Sequence, residues 1–255
     1  MKLKHPVIFI HGLIVTARFY RSFSRLNNIW HNYSDSFRLY ERPSWSLQEQ
    51  RVELLTRFLD RISCPFHLIG HSAGGIDSRA ALSQKSRASK NCLSLITIGT
   101  PHRGTPIADK YLKDFEGTGF DEILLSKDGN KKFAEKFTEE MTPAALKHFN
   151  SSNNNVDGIN YSYIPSFIEK RHHATFSAWS SHKYLQGLGH ISNDGTVPLS
   201  SQAWGEALPV VNACHKSQTV DLWHYGPIFR KRPVVKDVMK VAYDHLFKIE
   251  QGLTD

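Results

Sequence analysis

The pentapeptide Gly70-His71-Ser72-Ala73-Gly74 lies between the apolar run Phe66-His67-Leu68-Ile69 and a helix-like segment, Gly75 to Leu82. A strand that turns into a helix within so few residues forces the central serine into a strained backbone conformation. Side chains two positions to either side would collide there, so glycine flanks it. The Ser72 hydroxyl is then exposed at the carboxyl edge of a sheet, and the helix behind it points unpaired N–H groups at the same place, where negative charge is favoured. A bare G-x-S-x-G also occurs in Gly-rich turns without chemistry; the strand before it and the helix after it distinguish a nucleophile elbow.

The chain of 255 residues, 40% of them apolar, suits one large α/β domain with a sizeable core. Nowhere does it hold the eighteen or so consecutive apolar residues of a membrane span. Met1 to Ile10 is too short in its apolar part for a signal peptide and reads as the first core strand, so a cytoplasmic location is expected. Cys64, Cys92 and Cys214 are odd in number and unclustered, which argues against a disulfide framework or zinc knuckle, although Cys64 and Cys92 could be bridged. Lys and Arg outnumber Asp and Glu by 32 to 24 without forming a tail. Basic motifs interleaved with aromatics are absent, so no nucleic-acid partner is expected, and the charge hints only at anionic membrane surfaces.

Strand-like and helix-like segments alternate, which predicts a mostly parallel sheet covered on both faces. Strands are expected at 6–10, 37–40, 66–70 and 93–98, with a further strand-like run at 159–163 and a last strand at 219–223. Phe19, Phe23, Leu26 and Trp30 recur at helical spacing; Ser46 and Glu49 read as a capping box ahead of the stripe Val52, Leu55, Leu59 and Ile62. Pro233 opens a terminal helix carrying Val234, Val238, Val241 and Ile249. Residues 105–157 break the rhythm: Phe133, Phe137 and Met141 are spaced by four, then Thr142 caps a helix with Pro143 at its first position. This insertion reads as a helical cap or lid.

A nucleophilic serine needs a base, an acid to orient that base, and N–H donors for an oxyanion. In a strand-turn-helix serine site the acid and then the base follow the serine along the chain. Asp194, followed by Gly195 in a tight turn, leads as the acid, with Asp157 as the substitute. His224 leads as the base because it would follow a last strand at 219–223; His215 is the alternative, and His245 lies in the terminal helix. The backbone of Ala73, and Leu13 in the Gly12 loop after the first strand, are the expected oxyanion donors. His172, His173, His182 and His190 lack metal-ligand spacing, so neither a metal nor another cofactor is expected.

The segments Pro6 to Leu13, Leu68 to Gly75, Thr100 to Thr105, Leu146 to Asn150 and Asn193 to Pro198 together resemble the bacterial triacylglycerol lipases of the α/β-hydrolase superfamily, in family order over most of the chain. The resemblance implies an α/β-hydrolase fold, a Ser72, Asp194 and His224 triad, Leu13 and Ala73 as oxyanion donors, and 105–157 as the lid region. Many of these lipases hold calcium with an aspartate two residues beyond the catalytic histidine; after His224 that position is Gly226. The expected function is therefore a carboxylic-ester hydrolase acting on esters or acylglycerols, with peripheral contact to a lipid interface. An acyltransferase on the same fold and a non-hydrolytic receptor or scaffold for a small apolar ligand are the competing readings.

Overall fold

The structure, a computed structural model, describes residues 1–12, 25–41, 43, 46–113, 131–220 and 234–253. Its elements in chain order begin with β1 (Val7–Ile10), β2 (Phe37–Tyr40), α1 (Gln48–Asp60), β3 (Phe66–His71), α2 (Ala73–Ser83), α3 (Arg87–Asn91) and β4 (Cys92–Ile98). Three helices follow, α4 (Pro106–Lys113), α5 (Lys131–Glu140) and α6 (Pro143–Ser152), and then β5 (Asn160–Ile164) and β6 (Ser166–Phe167). The last part holds α7 (Phe176–Gly187), α8 (Leu199–Gln202), β7 (Glu206–Ala207), β8 (Val211–Asn212) and α9 (Val234–Glu250).

Six strands pair in parallel in the order β2-β1-β3-β4-β5-β7. Side chains alternate across each strand, and here both faces are covered. Ile8, Ile10, Leu68 and Leu95 pack with α1, α2 and α6 on one face, while Val7, Phe9, Ile69 and Ile96 pack with α9 and residues 25–30 on the other. That double burial is why the central strands read as unbroken apolar runs. The expected α/β fold is present.

Local chemistry sets the boundaries. Thr142 caps α6 as expected, its Oγ1 accepting from Ala145 N at 3.2 Å. Ser46 does not cap α1: its hydroxyl donates to Pro43 O, and the helix opens one residue later after Leu47, whose N–H donates to Gln50 Oε1 at 3.3 Å. A carboxylate from α5 completes that helix start, with Gln48 N donating to Glu140 Oε1 at 2.9 Å. The expected last strand at 219–223 is not one where it is described, since Thr219 and Val220 sit in a turn after a 3₁₀ segment and residues 221–233 lie outside the described residues. The sheet ends instead on the two-residue edge strand β7. Leu26 and Trp30 are helical and buried as read; of the α9 stripe Val238 is buried, with Val234, Val241 and Ile249 half-buried against the same core, and Phe19, Phe23 and Pro233 lie outside the described residues.

The inserted segment is divided. Residues 114–130 lie outside the described residues, but α6 sends Leu146 and Phe149 into the main core, and Ala108 of α4 with Phe137 and Met141 forms an apolar cluster against Ala73. Cys64, Cys92 and Cys214 are all free thiols.

Candidate active site

The end of β3 delivers Ser72 at φ +54° and ψ −130°, a left-handed backbone that few residues other than glycine adopt. The surroundings over-determine it. A Cβ on Gly70 would come within 2.6 Å of Gly75 Cα, and one on Gly74 would strike the Ile10 carbonyl oxygen. Ser72 N donates to Ile98 O at 2.9 Å, which ties the elbow to the end of β4.

Asp194 arrives from the turn after α7. Gly195, at φ +86°, lets the chain double back so that Thr196 N and Val197 N both donate to Asp194 Oδ1, at 2.9 and 2.7 Å. The second oxygen accepts from His215 Nδ1 at 2.8 Å and from Gln218 Nε2 at 2.9 Å. Asp194 is fully buried, and both of its oxygens are filled by hydrogen bonds that it accepts.

His215 completes the line. Its Nε2 lies 2.9 Å from Ser72 Oγ while Nδ1 donates to Asp194, so the neutral ring presents an acceptor to the serine hydroxyl. Its own backbone N donates to Asp194 O at 2.8 Å, fixing the 3₁₀ segment His215–Gln218 against the acid's turn. The sequence reading favoured His224, which lies outside the described residues; the position between Ser72 and Asp194 belongs to His215. Among the described residues the six-stranded sheet receives its last strand in chain order, β7, at 206–207, and the first histidine after it is His215. Asp157, the substitute acid, is exposed in the turn leading into the amino end of β5, at the opposite edge of the sheet from the elbow. His245 lies in α9.

Three supporting residues had no role in the sequence reading. Gln218, fully buried, joins Asp194 to Ser166 Oγ, to which its Nε2 also donates at 2.6 Å. Its signal was its place three residues after His215, where a 3₁₀ turn brings the two side chains to one side, but only a reader who had already chosen His215 could use it. His71 donates from Nε2 to His215 O at 3.3 Å, its ring 5.0 Å from the His215 ring. Complete burial, helped by the neighbouring His215, pushes His71 down to about 3, so it stays neutral. Gly99, at φ +56°, is the third. A Cβ there would strike Gln218 Oε1 and come within 3.0 Å of His215 Nδ1 and 3.1 Å of Asp194 Oδ2.

On the oxyanion side, Ala73 opens α2, so its N–H has no partner within the helix. The loop after β1 is pressed against the nucleophile: a Cβ on Gly12 would lie 2.7 Å from Ser72 Cβ, and His11 Nδ1 lies 2.5 Å from Gly12 O. Leu13 lies outside the described residues. Behind the elbow, Arg79 of α2 holds the 101–104 turn from within the protein. Its Nη1 donates to Asn150 Oδ1 at 2.9 Å and to His102 Nδ1 at 3.2 Å, while Asn150 Nδ2 donates to His102 O at 2.7 Å. Burial lowers Arg79 to about 9, and its guanidinium stacks 3.3 Å above the Trp204 ring.

Residues 63–148, from the approach to β3 through the elbow and most of α6, match the family described as PGAP1-like alpha/beta domain. Triacylglycerol lipase 2 of Saccharomyces cerevisiae is 26% identical over 80% of this chain and 76% of its own length. The chain is thus similar to triacylglycerol lipases over most of its length. Two solved structures share its fold. The mature Bacillus licheniformis lipase BlEst2 superimposes with a TM-score of 0.68 at 22% identity, covering 83% of this chain and 85% of that one. A metagenomic carboxyl esterase gives 0.70 at 13% identity over 94% and 76% of the two chains. Two residues beyond His215, where many such lipases place a calcium-binding aspartate, stands Ser217, whose hydroxyl donates to Cys214 O, and among the described residues no three metal-ligating side chains come together.

Proposed function

We propose that this hydrolase cleaves carboxylic esters through an acyl-enzyme on Ser72, with His215 as general base and Asp194 as its orienting acid. The observation that carries the reading is the continuous relay from Ser72 Oγ to His215 Nε2 and from His215 Nδ1 to Asp194, at 2.9 and 2.8 Å. In the first half-reaction Ser72 Oγ attacks the acyl carbon as its proton passes to His215 Nε2. The imidazolium is stabilised by buried Asp194, and the same proton then goes to the leaving alcohol. Water repeats the sequence on the acyl-enzyme and releases the acid. The Ala73 N–H, with a donor from the Gly12 loop, faces the oxyanion; Leu13 is the donor we assign there.

Acylglycerols presented at a lipid surface are the substrate class we favour. The apolar cluster of Ala73, Ala108, Phe137 and Met141 beside the nucleophile supports it, because it puts hydrocarbon next to the acyl position. We assign the segment 105–157, which holds α4, α5 and α6, the role of a cap over this side. Free thiols at all three cysteines support a reducing compartment, the cytoplasm.

The test is hydrolysis of glycerol esters of short and long acyl chains, below and above their solubility limits, by the wild type and Ser72→Ala. Free acid released by the wild type and lost in Ser72→Ala is the expected result. A new ester formed from an added alcohol in place of free acid would make it an acyltransferase. Ligand-induced stabilisation without turnover would make it a receptor.

A further inference from the structure

Helix α7 is built as if both of its faces were to be covered. Its inner face carries His182 and Leu185, both buried. Phe176, Ser180, Tyr184, Gly187 and Leu188 follow one another at helical spacing on the outer face, and all are exposed. Phe176 is 81% exposed, Leu188 51%, and Ile191, in the turn just beyond, 65%. Ten large hydrophobic side chains are exposed among the described residues; these three and Tyr184 fall within sixteen positions. Isolated exposed apolar residues need no explanation, but a group on one helix and its following turn does.

Within the segment itself the charge has one sign. Residues 170 to 193 contain no Asp or Glu, while Lys170, Arg171 and Lys183 are all exposed. The nearest acid in sequence on the amino side, Glu169, accepts from Asn212 Nδ2 at 2.9 Å. The cations also lie against aromatic rings: Arg171 and Lys183 are 5.5 and 5.0 Å from the Trp179 ring centroid, and Lys110 of α4 is 5.1 Å from that of Tyr184. Exposed apolar side chains rimmed by lysine and arginine, with Trp and Tyr between them, match the layering of a bilayer surface from hydrocarbon to anionic headgroup.

The helix is fixed to the site. His182 Nδ1 lies 3.0 Å from Asn193 Oδ1, the residue before Asp194, and a Cβ on Gly195 would come within 2.6 Å of Ala178 O. A surface that seats α7 therefore seats the rim of the relay with it.

We propose that the outer face of α7, with the turn through Ile191, docks this protein on an anionic phospholipid bilayer. The residues of the face lie outside the 105–157 cap segment, with Lys110 of α4 at their edge. Only the further step, that docking delivers substrate to Ser72, rests on the ester-hydrolase reading.

The experiment measures partition of the full chain carrying Ser72→Ala, which prevents turnover of the lipid, into phosphatidylcholine vesicles with and without phosphatidylserine. Uptake that requires phosphatidylserine and weakens with salt is expected. Lys170→Glu with Lys183→Glu should reduce it by at least about twenty-fivefold, at roughly fivefold per cation removed. Phe176→Ser with Ile191→Ser should reduce it by at least about tenfold. Both variants should keep the parent's urea midpoint and helical circular dichroism, which shows that they fold. Equal uptake by both vesicle types, no uptake, uptake unchanged in the variants, or self-association through this face without vesicle binding would each overturn the proposal. Because the partition is read without turnover, a failed ester reading would leave it standing, and a failed docking would leave ester hydrolysis intact.

Discussion

Gln218 donates to Asp194 Oδ2, the same oxygen that receives His215 Nδ1, at 2.9 Å against 2.8 Å. Asp194 therefore has its lone pairs assigned: two backbone N–H groups fill Oδ1, and one amide and one imidazole fill Oδ2. A carboxylate held at both ends cannot rotate away from the base. The ring of His215 is thus aimed at Ser72 before any substrate arrives, which is the form of preorganisation that lowers a barrier without reorganisation during the reaction.

Gln218→Leu keeps the side-chain size and removes the donor. Losing one hydrogen bond to a buried charge costs about 1.5–3 kcal/mol, so kcat on a dissolved ester should fall about tenfold to 150-fold. KM should stay within about twofold, since Gln218 is buried behind Asp194 and not beside the acyl group. Steady-state kinetics on a soluble short-chain ester separate the two constants; a change confined to KM would remove Gln218 from the relay's support.

Much of this arrangement was legible in the chain. Ser72 and its glycines announced the elbow because a sharp strand-to-helix turn has few sequence solutions, and Asp194-Gly195 announced a doubled-back carboxylate for the same reason. His215, which makes the contacts to Ser72 and Asp194, ranks below His224 in the sequence because β7 is two residues long and its sequence, Glu206-Ala207, carries no strand pattern, whereas Thr219 to Trp223 carries one and Thr219 and Val220 adopt a turn. Ser46 looked like a cap, yet Glu140 from a distant helix supplies the carboxylate at that helix start. Gln218, His71 and Gly99 serve the relay through contacts between segments far apart in the chain, for which local pattern holds no signal.

Acid should destabilise the fold at pH values where ordinary carboxylates are still ionised. Burial lowers His67 to about 4 even though Glu250 Oε1 lies 3.4 Å from its Nε2, lowers His71 to about 3, and lowers His102 well below its usual value. Between pH 6.5 and these values the unfolded chain takes protons that the folded chain refuses. Stability is therefore fully present above about pH 6.5 and is lost as pH falls, by up to about 1.4 kcal/mol per pH unit for each group. Urea midpoints at a series of pH values from neutral down to about 4.5 measure the slope, and His67→Gln should flatten it. A midpoint that stayed level from pH 7 to 5 would mean these histidines are charged in the fold.

The buried cation Arg51 links three helices. Its Nε donates to Asp77 Oδ2 on α2 at 3.0 Å, its Nη2 to Glu140 Oε2 on α5 at 2.6 Å, and its Nη1 to Ser46 O. Arg51 and Asp77 are both almost fully buried, and their side chains are 0% and 1% exposed. Asp77→Ala strands a desolvated guanidinium with only the more exposed Glu140, and should cost about 3–5 kcal/mol. Arg51→Met combined with Asp77→Leu should cost less than that single change, because no buried charge is left uncompensated. Chemical denaturation of the three proteins decides it; a double variant less stable than Asp77→Ala would show that the ion pair itself, and not the avoided penalty, holds α1 to α2.

Two histidines can be set directly against each other. His215→Ala removes the acceptor for the Ser72 proton and the partner of Asp194 together. Activity should then drop by about 10⁴-fold or more, toward the residue that oxyanion donors and binding alone sustain. His224→Ala should keep activity within a few-fold of the wild type, since both ring nitrogens of His215 are already engaged by Ser72 and Asp194 and leave no vacancy for a second base. The rate of covalent labelling by a fluorophosphonate probe reports the same difference without a substrate, because it requires an activated Ser72 and nothing downstream. Loss of labelling in His224→Ala with labelling retained in His215→Ala would transfer the base to His224. The short His215 contacts would then be a resting arrangement that substrate displaces.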